Sequence, residues 1–215
     1  MGVIMEKRVK QFIWIFAIGI FIVVPSLIYS LGYFPRRSFL KETISLLTLL
    51  SFFVMILMFY LSRINRSTLK PFKMAKVLKW HKALGYTFVG ILIFHPFFVI
   101  VPRYFEAGIS PGDAFSEILS NLDKQGLLFG LIAWSTMILL GVTSFFRDKL
   151  PMTYKTWRIL HGILSLVFLF LASLHVIQTG RHMSVTFISL ILLLSGIGIA
   201  MLIRRYILDS TSEKS

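Results

Sequence analysis

Six apolar stretches divide the chain, at about residues 11–31, 40–61, 76–101, 125–145, 156–178 and 184–203. Each is long enough to cross the roughly 30 Å hydrocarbon core of a bilayer as an α-helix. Polar links separate them, without Gly/Ser tracts or low-complexity segments. The pattern predicts an all-α polytopic membrane bundle of six transmembrane helices, a single integral membrane domain over residues 1–215. The first stretch follows a short basic segment with Lys7, Arg8 and Lys10, as a secretory leader would. Its apolar run is too long for a leader core and no small-x-small cleavage site follows, so it reads as the first span.

Local signals refine these elements. Pro25 in the first span and Pro96 near the outer end of the third each remove a backbone donor and should disturb their helices. Thr43, Ser45, Thr48 and Ser51 line the first half of the second span and are expected to face other helices. The longest link contains Ser110-Pro111-Gly112-Asp113, an N-cap with Pro in the first turn. It predicts a short helix over about 111–122, lying on the membrane surface. The polar tail from Arg204 is expected to fray.

The third and fifth spans carry the same pair of histidines. His81 and His95 are 14 residues apart, and so are His161 and His175. On a helix that spacing is about 21 Å of rise and almost four whole turns, so both rings of a pair share one face. An ionisable residue inside a span is costly and marks a functional site by default. Two spans with equal spacing meet at two levels at once. That geometry suits two haem groups stacked across the membrane, each held between one imidazole from each helix.

His81 and His161 are the candidate ligands at one level, His95 and His175 at the other. Gly85, Gly162 and Ser165 are small residues near the inner histidines that would let a flat ring approach. Phe88 and Phe168, each seven residues after an inner histidine, either fill the gap between the two levels or serve as ordinary packing. Trp80 and Trp157 read as an interfacial aromatic belt. Neither histidine pair has the close spacing and neighbouring carboxylates of a divalent metal site. His182, in the last link, reads as a surface or propionate residue and not a ligand.

Charge sets an orientation. Of the 23 Lys and Arg residues, 17 fall on the side of both termini and 6 on the other, so both termini are expected to be cytoplasmic. His81 and His161 then lie near the inner surface, His95 and His175 near the outer one. Lys79, Lys82 and Arg158 are the candidates to meet inner propionates; Arg103, Gln178, Arg181 and His182 are those outside. Residues 63–82 hold Arg63, Arg66, Lys70, Lys73, Lys76, Lys79 and Lys82 and no acid. This stretch is either a solvated set of lysines at the lipid headgroups or a docking surface for an acidic cytosolic partner.

Composition removes other classes. The mean hydropathy of +0.80 exceeds what a soluble core can bury. The formal net charge of +14 therefore reads as positive-inside loops facing anionic lipid, and nucleic acid is not expected as a partner. The chain has no cysteine, which excludes disulfides, cysteine-ligated clusters and thiolate-ligated haem. It also has no G-x-G-x-x-G fingerprint for a nicotinamide cofactor.

At its motifs the chain resembles a known family. Trp80-His81-Lys82-Ala83-Leu84-Gly85-Tyr86 with a histidine 14 residues on, Thr143-Ser144 closing the fourth span, and Trp157-Arg158-Ile159-Leu160-His161-Gly162 with another histidine 14 residues on are similar to the ferric reductase-like transmembrane domain. The resemblance covers about residues 40–178, the expected haem-binding core. NADPH oxidases, eukaryotic ferric reductases and the membrane partner of periplasmic methionine sulfoxide reductase share that domain. It implies that His81, His95, His161 and His175 are axial ligands to the iron of two haem b groups, and that the domain moves electrons across the cell membrane. The oxidases and eukaryotic reductases carry a fused flavin- and nicotinamide-binding module. Here about a dozen residues follow the last span, so the expected donor is a separate cytosolic flavoprotein, an NAD(P)H reductase docked near residues 63–82 and the Arg147–Lys155 turn. Flavin would then sit on that partner or at the inner face, and the acceptor would be periplasmic or extracellular. The methionine sulfoxide reductase partners usually lack a histidine at the place of His81, so the chain resembles the two-haem branch more. The first alternative is a quinol- or flavin-fed haem subunit of a periplasmic reductase such as that one. A haem-free transporter is the second; against it, the spans hold no acid beyond Glu42 near one end, and no repeat of the whole chain is visible.

Overall fold

The computed structural model describes residues 2–35, 37–62 and 68–212. Arg36, Arg63, Arg66 and Lys214 of the charge pattern lie outside the described residues. Among the described residues the chain is all-α: α1 (Gly2–Ile18), α2 (Val24–Leu31), α3 (Phe39–Tyr60), α4 (Met74–Ile93), α5 (His95–Ala107), α6 (Pro111–Ser120), α7 (Gln125–Phe145), α8 (Tyr154–Thr179) and α9 (Val185–Ser212). Five spans are long and apolar enough to cross a bilayer: Glu6–Leu31, Phe39–Tyr60, Gln125–Phe145, Tyr154–Thr179 and Val185–Arg204. The sixth candidate is the pair α4–α5, bent by 42°. The protein is thus an integral multi-pass membrane protein.

Both prolines act where the sequence places them. Ahead of Pro25 the helix widens into a π-turn over Gly19–Val23, closed by the Val24 amide donating to Gly19 O; such a turn re-routes the ladder around the missing donor. Ahead of Pro96 the third span breaks at Phe94. Pro96 cannot donate to Leu92 O, and the Phe97 amide turns to Phe94 O at 3.0 Å. His81 and His95 therefore do not share one straight helix; His95 opens α5.

The second span, α3, forms the centre of the bundle. From Ser51 to Phe59 every residue is buried, so it is covered on all faces, as a helix apolar all round must be. Ser51 is fully buried, its hydroxyl turned back to Leu47 O at 2.7 Å, and Ser45 accepts from Arg37 Nη2 at 2.6 Å. Thr43, expected at a helix contact, is exposed, between the half-buried Glu42 and Ile44. The link helix α6 begins at Pro111 as expected, with Ser110 Oγ accepting from the Asp113 amide at 3.2 Å. The tail does not fray at Arg204: α9 continues to Ser212. Tyr206 holds the extension by donating to Arg158 O at 2.9 Å.

Candidate redox site

Helix α7 packs against both α4 and α8, whereas α4 and α8 have no extensive backbone contact with each other among the described residues. The two histidine-bearing spans are thus held apart on either side of a common support. A Cβ built at Gly85, four residues after His81 and on its face, meets nothing within 4 Å. That leaves room along α4 for a flat group.

At one level, the one expected to be outer, His95 and His175 face one another, with ring centroids 6.2 Å apart and planes inclined by 70°. His175 Nδ1 lies 2.8 Å from Gly126 O. A carbonyl oxygen can only accept, so Nδ1 carries the proton and Nε2 keeps its lone pair. His95 Nδ1 is buried without a hydrogen-bond partner among the described residues, an unsatisfied nitrogen that a bound group would explain. Trp134 of α7 steadies the break beside it: its Nε1 donates to Ile93 O at 3.1 Å.

His81 and His161 form the other expected level, on α4 and α8. His81 Nδ1 lies 3.0 Å from Leu61 O, which fixes the same tautomer as in His175. His161 Nδ1 lies 3.2 Å from Ser144 Oγ. Trp157 packs beside the His161 ring, 5.1 Å between centroids and 30° between planes, and donates Nε1 to Thr143 O at 3.0 Å. Trp157 thus stands beside His161, with Arg147 over its ring at 5.6 Å and Tyr154 stacked on it at 5.8 Å. Trp80 contacts Trp14 and Phe72 instead.

The residues fit a haem held between two imidazoles. An imidazole nitrogen binds a first-row metal at about 2 Å, so two rings on opposite sides of one iron place their centroids roughly 6 Å apart. The 6.2 Å at His95 and His175 matches. Three of the four rings have Nδ1 anchored, the outer hydrogen bond that orients a ligating histidine and raises its basicity. Among the described residues no three His, Cys, Asp or Glu side chains gather into a metal cluster; these histidines come in twos.

The expected propionate partners are not all at the site. Lys82 is exposed and Arg158 half-buried at the inner end. Arg103 pairs with Glu117 of α6, and Arg181 donates to Pro35 O at 3.2 Å. His182 is not at the surface but 7% exposed. It lies against Tyr29 (3.9 Å between centroids) and Phe34, with Nε2 3.4 Å from Glu42 Oε2. Glu42 also accepts from Tyr29 and from Arg37 Nε at 2.9 Å. This cluster ties α2, α3 and the last link together and is separate from the histidine pairs. Burial, more than the cations of Arg37 and Arg181, holds the His182 pKa below its ordinary value despite Glu42.

Two expectations about small residues divide. Gly85 is open, but Gly162 faces α9: a Cβ there would strike the Tyr206 hydroxyl. The glycines that shape the site are Gly126 and Gly130 of α7. A Cβ on Gly130 would come within 2.5 Å of His175 Nδ1, and one on Gly126 within 2.8 Å of Thr179 Cγ2. Their G-x-x-x-G spacing in a span was the available signal, the mark of close helix approach in a membrane. Phe168 is buried in the core and Phe88 packs against it.

Comparisons with known proteins give the family. The family model described as "Ferric reductase like transmembrane component" matches residues 47–172, a range that contains His81, His95 and His161 and ends three residues before His175. An uncharacterized protein of Archaeoglobus fulgidus is 37% identical over 168 residues, covering 78% of this chain and 91% of that protein. No solved structure matches. With more than half of its length matched, the chain belongs to the ferric reductase like transmembrane component family.

Proposed function

We propose that the protein is a transmembrane cytochrome b carrying electrons from a cytosolic donor to an acceptor on the far side, with two haem b groups, one held by His81 and His161 and one by His95 and His175. The observation that carries this reading is the facing pair His95 and His175, 6.2 Å between ring centroids, together with Nδ1 of His81 and of His175 on backbone carbonyls, so that Nε2 of each is left to ligate. Haem iron would supply the one-electron couple. The chain's own contribution is positioning and burial. Gly126 O, Leu61 O and Ser144 set three rings, Trp134 and Trp157 brace the two levels, and the apolar bundle excludes water. The reading is therefore a conduit, in which the side chains hold and orient the electron-carrying group.

The charge bias supports cytoplasmic termini and puts the lysines of residues 68–82 and the Arg147–Lys155 turn beside the donor. All five lysines from Lys70 to Lys82 are exposed. A separate flavoprotein reductase with an acidic face suits that surface. The test is reduction of the purified protein. NAD(P)H alone should leave its absorption spectrum oxidised; NAD(P)H with a flavin reductase should reduce it, at a rate that falls as salt is raised. Rapid reduction by NADPH without added protein would contradict the conduit reading. Rapid, salt-insensitive reduction by a quinol would replace the cytosolic donor with the membrane quinol pool.

A further inference from the structure

At the basic end of the bundle, α1 and the start of α4 enclose an open groove of about 800 Å³. Lys7 and Lys10 project from one side, Lys73 and Lys76 from the other, and Trp14 and Trp80 line it between them. The two indoles meet edge-to-face, 4.6 Å between centroids, with Phe72 packed on both. Lys76 Nζ lies 5.1 Å over the Trp80 ring. Lys10 is paired with Glu6. Lys7 and Lys73 have no ion-pair partner among the described residues, and no acid lines the groove.

Two further features point to an anion. Lys73 is the N-cap of α4 without a side-chain cap, so the first amides of a 20-residue helix and its positive dipole end face the same region as the lysines. An acidic residue would ordinarily stand in such a first turn, and none does. One wall of the groove is also lipid-facing: Ile15 is 70% exposed, beside Phe12 and Phe16 at 67% and 59% on the same apolar helix. A ligand seated here therefore has an anionic head among the lysines and an apolar tail in the bilayer.

We propose that this groove is a binding site for an anionic phospholipid of the adjoining leaflet. Its phosphate sits among Lys7, Lys73 and Lys76, its glycerol backbone rests against the Trp14–Trp80 pair, and its acyl chains run along Ile15. Basic clefts between spans bind anionic headgroups, and interfacial indoles sit at the glycerol level. The bound lipid adds to the Trp14–Trp80 contact that joins α1 to the start of the first histidine-bearing helix.

The test uses the full-length protein, purified in detergent and exchanged into nanodiscs of equal phosphatidylglycerol and phosphatidylcholine. Lipid retained after re-extraction is identified by native mass spectrometry. The protein should retain phosphatidylglycerol about tenfold or more over phosphatidylcholine. The combined Lys7→Gln, Lys73→Gln and Lys76→Gln variant should lose that preference. A control with Lys79→Gln, Lys82→Gln and Lys155→Gln, which removes the same charge outside the groove, should keep it. Equal preference in the groove variant, or equal loss in the control, would overturn a localised site. Displacement of the lipid by millimolar inorganic phosphate would show that the groove selects a free phosphate and not a lipid. Retention is compared only for variants that elute as a monodisperse peak.

Discussion

Trp134 donates its indole N–H to the carbonyl oxygen of Ile93 at 3.1 Å, an acceptor that the break before Pro96 leaves without its helical donor. The Phe97 amide that would have bonded Ile93 O bonds Phe94 O instead. One side chain on α7 thus satisfies the kink that aims His95. Trp134→Phe keeps the ring and deletes the donor. It should cost about 1–3 kcal/mol, the range for an unsatisfied buried carbonyl, and lower the midpoint of thermal unfolding by a few degrees. In the haem-loaded protein it should perturb the outer haem and spare the inner one, read as a change in one of two components of a redox titration.

Gly130 and Gly85 give opposite tests of space. Gly130→Ala puts a methyl group against His175 Nδ1 and should displace the ring. Haem per chain should then fall from two toward one. Gly85→Leu meets no protein atom at Cβ, so the polypeptide should fold as well as before or better, since Gly is unfavourable within helices. If a flat haem occupies that space, Gly85→Leu should still lower haem content, whereas Gly196→Leu, also at an open position, should not. Haem extraction against protein concentration reads all three.

His182 should behave as a structural residue. His182→Gln should leave haem content at the wild-type value, because the ring lies with Tyr29, Phe34 and Glu42. Its depressed pKa carries a sign. Between the folded value and the ordinary one near 6.5, the unfolded chain binds the proton and the folded chain does not. The stability contribution is therefore complete above about pH 6.5 and lost as pH falls below it. The wild type should lose stability on acidification more steeply than His182→Gln, measured as unfolding midpoints across pH 7.5 to 5. A steeper loss in the variant would show that Glu42 pairs with a protonated His182 instead.

Orientation follows from charge. A reporter fused after Ser215 should be active only in its cytoplasmic form, and one inserted near Gly112 only in its external form, given 17 cationic residues on one side against 6 on the other. An active external reporter at the C-terminus would invert the assignment of inner and outer histidines.

The spans, the short helix after Ser110 and the disturbance at Pro96 were legible because each rests on a local rule: run length, an N-cap, a missing donor. The equal spacing of the histidines is visible in the sequence, but the break at Phe94 means that His81 and His95 do not share one straight helix. What the sequence hid was contact across helices. Gly162 and Gly85 look alike one and four residues from a histidine, yet one is filled by Tyr206 and the other is open. The contacts of Trp157 with Thr143 O and the His161 ring were not visible in its sequence position. His182 reads as a loop residue until Tyr29 and Glu42 close over it. These depend on how α7, α8 and α9 pack, which periodicity along one helix does not specify.

The most direct measurement is the absorption spectrum of the purified protein with haem extraction, on the wild type and on four single variants. The wild type should show a b-type spectrum with two haems per chain. His81→Ala and His161→Ala should each remove the inner haem, and His95→Ala and His175→Ala the outer one, leaving one haem per chain in every case. A colourless wild-type protein, or two haems retained in all four variants, would contradict the proposal.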